Sequence, residues 1–248
     1  MSKGLIDELL EDIFDDSWTG KYGEFLLKSE LDMGRLSGKK GRILRNVYLP
    51  TENGKTSEID VLFITQKGII VFESKNYSGW IFGNEADSQW TASLPNKQKN
   101  RFYNQIRQNR SHIKWLTKCV GDIPMYSVIA FSDRCELKKI TVTSRNVWVI
   151  NRNQTNRVVR EIWKNSDDIL SEEQIDKLFE SLKAYTKVSD ETKEEHIKDI
   201  QETKESLICP ECGGNLVLRT AKQGANAGKQ FYGCSNFPKC KYVRNYQG

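Results

Sequence analysis

Residues 58–76, EIDVLFITQKGIIVFESKN, constrain the fold more than any other part of the chain. Two runs of β-branched and aromatic residues flank a Lys67-Gly68 turn signal, a pattern that predicts strand, tight turn, strand. Val61, Phe63, Ile70 and Phe72 make one apolar face, and Leu62, Ile64 and Val71 make the other apolar as well. Both sides of the hairpin therefore need covering. A two-residue Lys67-Gly68 turn would pair Gln66 with Ile69 and set Asp60 opposite Lys75, with Glu73 diagonal to Asp60 on the same face. Direct cross-strand neighbours have Cβ atoms about 5 Å apart and diagonal ones about 7–8 Å, so the two carboxylates could share a divalent metal beside an ammonium group. A surface hairpin with a plain Asp60–Lys75 salt bridge is the competing reading, and it leaves the second acid without a role.

Asp60 followed after twelve residues by Glu73-x-Lys75 resembles the acid, acid-x-lysine motif of the restriction-endonuclease-like nucleases. The wider set is more specific: Gly23-Glu24, Glu58-Ile59-Asp60, Gly68 before an apolar run, Glu73-Ser74-Lys75-Asn76, Gly79-Trp80 and Asn104-Gln105. In that order these residues resemble the nuclease-related domain (NERD) family over roughly residues 20–135. The resemblance implies an α/β fold, a restriction-endonuclease-like mixed sheet flanked by helices. It implies metal-dependent phosphodiester hydrolysis with Mg²⁺ or Mn²⁺ held by Asp60 and Glu73. It also implies Glu24 as a third acid from a helix, Lys75 as the group that orients water or stabilises developing charge, and Gln105 beside the carboxylates. On the residues alone, Glu24 reads equally as a solvated glutamate of a helix face.

Around the hairpin, helical spacing over residues 5–14 and 21–31 predicts two short helices, and Arg42 to Leu49 predicts a strand. Trp80 and Trp90 read as core rather than as stacking surfaces for bases. Asn100 to Cys119 is expected to be one long helix, with Phe102, Ile106, Ile113 and Leu116 on its apolar stripe. Residues 97–118 carry seven Lys or Arg and no acid. Arg101, Arg107, Arg110 and Lys114 are thus candidate phosphate contacts; charges that meet acids elsewhere in the fold are an equal alternative. Met125–Phe131 and Val147–Ile150 predict buried strands, so the helix before them makes a crossover within a mixed sheet. Further helices are expected at 155–164 and 171–185, the second opened by a Ser171/Gln174 capping box.

Cys209-x2-Cys212, then 21 residues, then Cys234-x5-Cys240 supplies four thiolates in two knuckles. Four sulfurs close a tetrahedral site and leave no position for water, so the expected Zn²⁺ is structural. Residues 209–214 and 231–240 resemble the C-terminal zinc finger of bacterial type IA topoisomerases, a family whose fingers bind single-stranded DNA. Phe231, Tyr232 and Phe237 alternate with Lys239, Lys241 and Arg244, a mixture of stacking surface and positive charge that suits a single strand. Cys119 and Cys135 stand apart and read as ordinary buried thiols.

The net charge of +5 is uneven: residues 207–248 hold six Lys or Arg against one acid, and the rest of the chain balances. Residues 187–206 hold seven acids and four bases with no aromatic side chain. The expected organisation is a nuclease-like domain over 1–186, a charged linker over 187–206 and a small four-cysteine zinc ribbon over 207–248. No stretch approaches the roughly 18 apolar residues of a membrane helix, and the N-terminus runs into acidic residues rather than a signal-peptide core. The expectation is a cytoplasmic protein whose partner is nucleic acid, DNA before RNA, and no membrane. Two further classes fit the residues: a non-catalytic nucleic-acid binder, and a zinc-stapled module that binds another protein.

Overall fold

The apolar runs on either side of Lys67 form central strands of a five-stranded sheet in the computed structural model, which describes residues 41–52, 55–94, 98–187, 196, 198–199, 207, 209–212, 214–221, 223 and 226–246. The chain divides into two units, residues 1–188 and 189–248. In the first, the sheet order is β1 (Gly41–Pro50), β2 (Thr56–Thr65), β3 (Gly68–Lys75), β7 (Met125–Phe131), β9 (Val147–Asn151). The β1–β2 and β2–β3 pairs are antiparallel, and β3–β7 and β7–β9 are parallel. This is the expected mixed α/β sheet. The parallel join of β3 to β7 is made through three strands of a four-stranded second sheet and helix α1 (Gln105–Val120).

Both faces of the hairpin are covered. Val61, Phe63, Ile70 and Phe72 pack with Val158, Val159, Ile162 and Trp163 of α2 (Thr155–Asn165). Leu62, Ile64, Ile69 and Val71 pack with Leu116 of α1 and with Ile175 and Leu182 of α3 (Glu172–Lys183). The capping box at Ser171 forms as expected, Gln174 N donating to Ser171 Oγ while Gln174 Oε1 accepts from Ser171 N. Burial of a core side chain of this size contributes about 1.5–3 kcal/mol, so helix packing rather than helix propensity holds the three layers together.

The hairpin register differs from the expected one. The ladder runs from Thr65↔Gly68 to Val61↔Phe72, so Gln66 and Lys67 make the turn and Gly68 is the first residue of β3. Gly68 has φ +119, and a Cβ there would lie 2.2 Å from the carbonyl oxygen of Pro124. Its glycine signal belongs to that close approach and not to a turn position.

The second sheet has the order β6 (Lys99–Tyr103), β5 (Gln89–Ser93), β4 (Gly79–Asn84), β8 (Cys135–Thr141). Residues 100–103, expected within the long helix, therefore belong to a strand, Lys99–Tyr103. The helix starts where Asn104, fully buried, caps it: Asn104 Oδ1 accepts from Ile106 N at 2.9 Å. Asn104 Nδ2 donates to the carbonyl oxygens of Asn84, Glu85 and Asp87, tying the helix start to the β4–β5 turn. Trp90 is buried as expected, whereas Trp80 is 49% exposed and so is not a core residue. Cys135 is buried and Cys119 is exposed, the latter against expectation.

In the second unit, β10 (Leu216–Thr220), β11 (Gln230–Cys234) and β12 (Val243–Asn245) form a three-stranded antiparallel sheet. Among the described residues, no helix is long and apolar enough to cross a membrane. The expected helices at 5–14 and 21–31, and with them Glu24, lie outside the described residues.

Candidate functional site

The β2–β3 ladder has its last pair at Val61↔Phe72, and Asp60 stands one position beyond it. There the Asp60 side chain takes over the acceptor role of the backbone: Ser74 N donates to Asp60 Oδ2 at 2.7 Å. The register places Asp60 level with Glu73 rather than opposite Lys75. Because the shift is two residues, the two acids and the lysine still belong to one neighbourhood, as a one-residue slip would not have allowed. Lys75 Nζ lies 2.7 Å from Glu73 Oε1, so its close ion pair is with Glu73.

Helix α1 supplies the rest of the cluster. Gln108 Nε2 donates to Glu73 Oε1 at 2.7 Å. His112 Nε2 lies 3.3 Å from Glu73 Oε2, and His112 Nδ1 is 2.6 Å from Ser57 Oγ on β2. Glu73 is 1% exposed, and its Oε2 makes no hydrogen bond among the described residues. One turn before Gln108, Gln105 donates to the carbonyl oxygen of Tyr103 at 2.7 Å, and its buried Oε1 has no hydrogen-bond partner among the described residues. The side chain that touches the carboxylate from α1 is thus Gln108. Asn109, next on this buried side, donates to Val71 O and Ser127 Oγ and fixes the helix to β3 and β7.

The electrostatics separate the two acids. Burial pushes the Asp60 carboxyl up to about 7, with the charge of Glu73 adding to it, against the opposing pull of Lys75 and the Ser74 N–H. Burial acts the same way on Glu73, but the Lys75 ammonium and His112 outweigh it and hold Glu73 at about 2. Lys75 is raised: burial works against its charge, and Glu73 and Asp60 overcome that. The result is a charged Glu73–Lys75 pair beside a carboxyl that carries excess negative charge when ionised. A divalent cation fits such a donor set, since Glu73 Oε2 lacks a hydrogen bond and Asp60 gains a counter-charge.

The basic residues divide. Arg101 is exposed on β6, not on the helix. Arg107 donates to the carbonyl oxygen of Ala86 at 2.7 Å, and Arg110 pairs with buried Glu85 at 2.9 Å. Lys118 pairs with Glu52, and Lys114 is exposed with its Nζ 5.1 Å from the Trp115 ring centre. For Arg110 and Lys118 the alternative in which helix charges meet acids elsewhere holds. Lys114 remains open to solvent.

In the second unit, the Sγ atoms of Cys209, Cys212, Cys234 and Cys240 all lie within 4.8 Å of one another, with 3.6 Å between Cys209 and Cys240 and 3.4 Å between Cys212 and Cys234. Zinc bound to sulfur at about 2.3 Å in a tetrahedron needs sulfurs just under 4 Å apart, and the group supports a structural Zn²⁺ with no open position. Asn236 N donates to Cys234 Sγ and Asn236 Nδ2 to Cys212 Sγ, each at 3.4 Å, the second layer of a metal knuckle. Tyr242 fills the small core, Phe231 and Tyr232 are half-buried, and Arg244 lies 5.2 Å over the Tyr232 ring. Phe237, at 60% exposure, and Lys239 and Lys241 face solvent.

Comparison with known proteins bears on both units. Residues 19–132 match the family described as nuclease-related domain, and residues 207–247 match the topoisomerase DNA binding C4 zinc finger. An uncharacterised protein of Bacillus anthracis is 32% identical over 184 residues, covering 73% of this chain and 83% of that protein. DNA topoisomerase 1 of Methanocaldococcus jannaschii is 48% identical over 47 residues, covering 19% of this chain and 6% of that enzyme. DNA topoisomerase 1 of Campylobacter jejuni is 49% identical over 43 residues, or 5% of its own length. The likeness to these enzymes is confined to the zinc finger.

Proposed function

The chain belongs to the nuclease-related domain family and ends in a topoisomerase-type zinc ribbon, and on that premise we propose that it is a metal-dependent nuclease that hydrolyses phosphodiester bonds in DNA. The observation that supports this most is the meeting of Asp60, Glu73 and Lys75 at the point where β2 and β3 part. Asp60 and Glu73 would hold Mg²⁺ or Mn²⁺, with Glu24 as a third oxygen donor. A bound divalent ion supplies Lewis acidity toward the phosphate and lowers the pKa of a coordinated water. Lys75 keeps one side of Glu73 neutralised and presents its remaining N–H donors where negative charge would grow on the phosphate. Gln108 holds the Glu73 carboxylate from the helix side through Oε1, and His112 Nε2 lies 3.3 Å from Oε2. The ribbon, joined through the charged residues 187–206, would hold the strand through Phe231, Tyr232, Phe237, Lys239, Lys241 and Arg244, contacts that position a substrate without reading its sequence.

A second reading, a nucleic-acid binder without catalysis, is favoured by one observation: Glu73 Oε1 is already satisfied twice, by Lys75 and Gln108. The two readings separate in a cleavage assay with labelled linear and circular single- and double-stranded DNA in Mg²⁺, Mn²⁺ or EDTA. The nuclease reading expects metal-dependent cutting that falls by about 100-fold or more in both Asp60→Asn and Lys75→Ala. Cutting that persists in EDTA or in both variants would refute the assigned site. No cutting at all, with salt-dependent binding retained, would establish the second reading.

A further inference from the structure

Among the described residues of the first unit, Trp80 is the one exposed aromatic side chain, at 49%. Its setting is regular. Cross-strand pairing puts Trp80 in a row with Ser93 and Glu136, and Ser93 in turn with Lys99. The next row runs Arg101, Thr91, Phe82, Lys139. The opposite face of the same strands, with Ile81, Trp90, Ala92, Phe102 and Leu137, is packed into the core. The face with Trp80 and Phe82 is therefore the outward one.

That face is basic. The register irregularity between Ile81 and Phe82 brings in Lys138 as an extra residue, its Nζ 5.4 Å from the centre of the Trp80 ring. Lys138 pairs with Glu136. Lys99, Arg101 and Lys139 are exposed and have no carboxylate partner among the described residues. Adjacent strands lie about 4.8 Å apart, so Arg101 and Lys139 flank Phe82 across about 14 Å. Aromatic rings in rows that also carry exposed cations are what stacked bases and a phosphate backbone require, and four-stranded sheets with exposed aromatics are a known form of such a surface.

The face is also tied to the carboxylate cluster. Trp80 follows Lys75 by five residues, a reach of at most about 18 Å. The intervening chain is pinned: Arg134 donates to Asn76 Oδ1 at 2.7 Å, Ser132 Oγ donates to Tyr77 O at 2.6 Å, and the Tyr77 ring stacks on Phe102 at 4.5 Å.

We propose that the outward face of the β6-β5-β4-β8 sheet is a binding platform for single-stranded nucleic acid, with bases stacked on Trp80 and Phe82 and phosphates held by Lys99, Arg101, Lys138 and Lys139. Its place in catalysis rests on the nuclease reading above; its binding does not. The test is a fluorescence-anisotropy titration of the full chain with a labelled single-stranded oligonucleotide, in an Asp60→Asn background so that the probe stays intact. Trp80→Ala should weaken binding about 5- to 100-fold with the salt slope unchanged, and Trp80→Phe should restore most of it. The Lys99→Gln/Arg101→Gln pair should weaken binding and reduce the slope of log affinity against log salt by about 1.4. Single-stranded RNA should compete as well as DNA, because neither rings nor cations read the sugar.

Affinities within twofold of the parent for all these variants, with binding lost only on Phe237→Ala, would overturn the proposal and leave binding to the ribbon. Tighter binding of duplex than of single strand would overturn it as well. A parent chain that never cuts but loses binding with Trp80→Ala would refute the nuclease reading and keep the platform. Normal cutting with Trp80 and the cations irrelevant to affinity would do the reverse.

Discussion

Three side chains from two elements surround Glu73, Lys75, Gln108 and His112, and only the lysine stands within its sequence motif. From the helix, Gln108 carries the orientation of the carboxylate through its hydrogen bond. Removing such a support around a metal ligand costs about 10- to 100-fold in metal affinity or activity. Gln108→Ala is expected to lose that much cleavage at fixed metal while its thermal midpoint stays near wild type. Partial recovery at high Mg²⁺ would place the defect in ligand orientation, and an unchanged rate would remove Gln108 from the site. The sequence did contain a signal for these residues: Gln105, Gln108, Asn109 and His112 repeat at helical spacing, which puts them on one side of the helix. Which of two glutamines one turn apart touches Glu73 depends on where the helix is docked, and that information is tertiary. Gly68 gives the complementary case. Its φ of +119 and the contact with Pro124 make Gly68→Ala a loss of about 1–3 kcal/mol or more, measurable by urea unfolding, although the residue sits in a strand.

Elements with strong periodicity were legible in advance. The hairpin strands show apolar residues on both faces, and both faces are covered; the Met125–Phe131 and Val147–Asn151 strands and the Ser171 cap follow the same local rules. The failures lie where local rules are ambiguous. Phe102 and Ile106 are four apart, as in a helix, but cross-strand pairing with β5 decided for strand over Lys99–Tyr103. β8 carries Glu136, Lys138 and Lys139 on its open side and gave no apolar run to find. The element that ties helix α1 to the end of β8 is Glu85. Its carboxylate accepts from Thr143 N at 2.7 Å, Ser144 N at 3.0 Å, both hydroxyls and Arg110. Burial would raise its pKa, but the Ser144 and Thr143 donors hold it down to about 2. A carboxylate lowered on folding contributes stability above its unfolded pKa, and that contribution is lost as the pH falls from about 4.5 toward about 2. Glu85→Gln should be less stable than wild type at pH 6, with the gap closing toward pH 2 in urea titrations. A gap independent of pH would mean that the Glu85 charge plays no part.

The whole chain joins a unit with a layered core to one whose core is small enough to need a metal. Stripping zinc should therefore abolish the order of β10 to β12 and leave the thermal transition of the first unit in place. A thiol titration reads the same event: Cys119 reacts first, and the four ribbon cysteines follow only after chelation. A single transition in which both units melt together on zinc loss would contradict this. The ribbon was legible from cysteine spacing because four thiolates and one ion leave few alternatives, whereas the role of each basic residue was not, since charge partners such as Glu85 for Arg110 are set by the fold. Asp60 is at once an acid of the site and the acceptor for Ser74 N, so a chain that abandoned catalysis would still need an acceptor there to keep its sheet intact. Selection for folding alone can preserve that aspartate long after selection for chemistry has lapsed, and an aspartate at this position is a poorer witness to activity than a lysine at position 75.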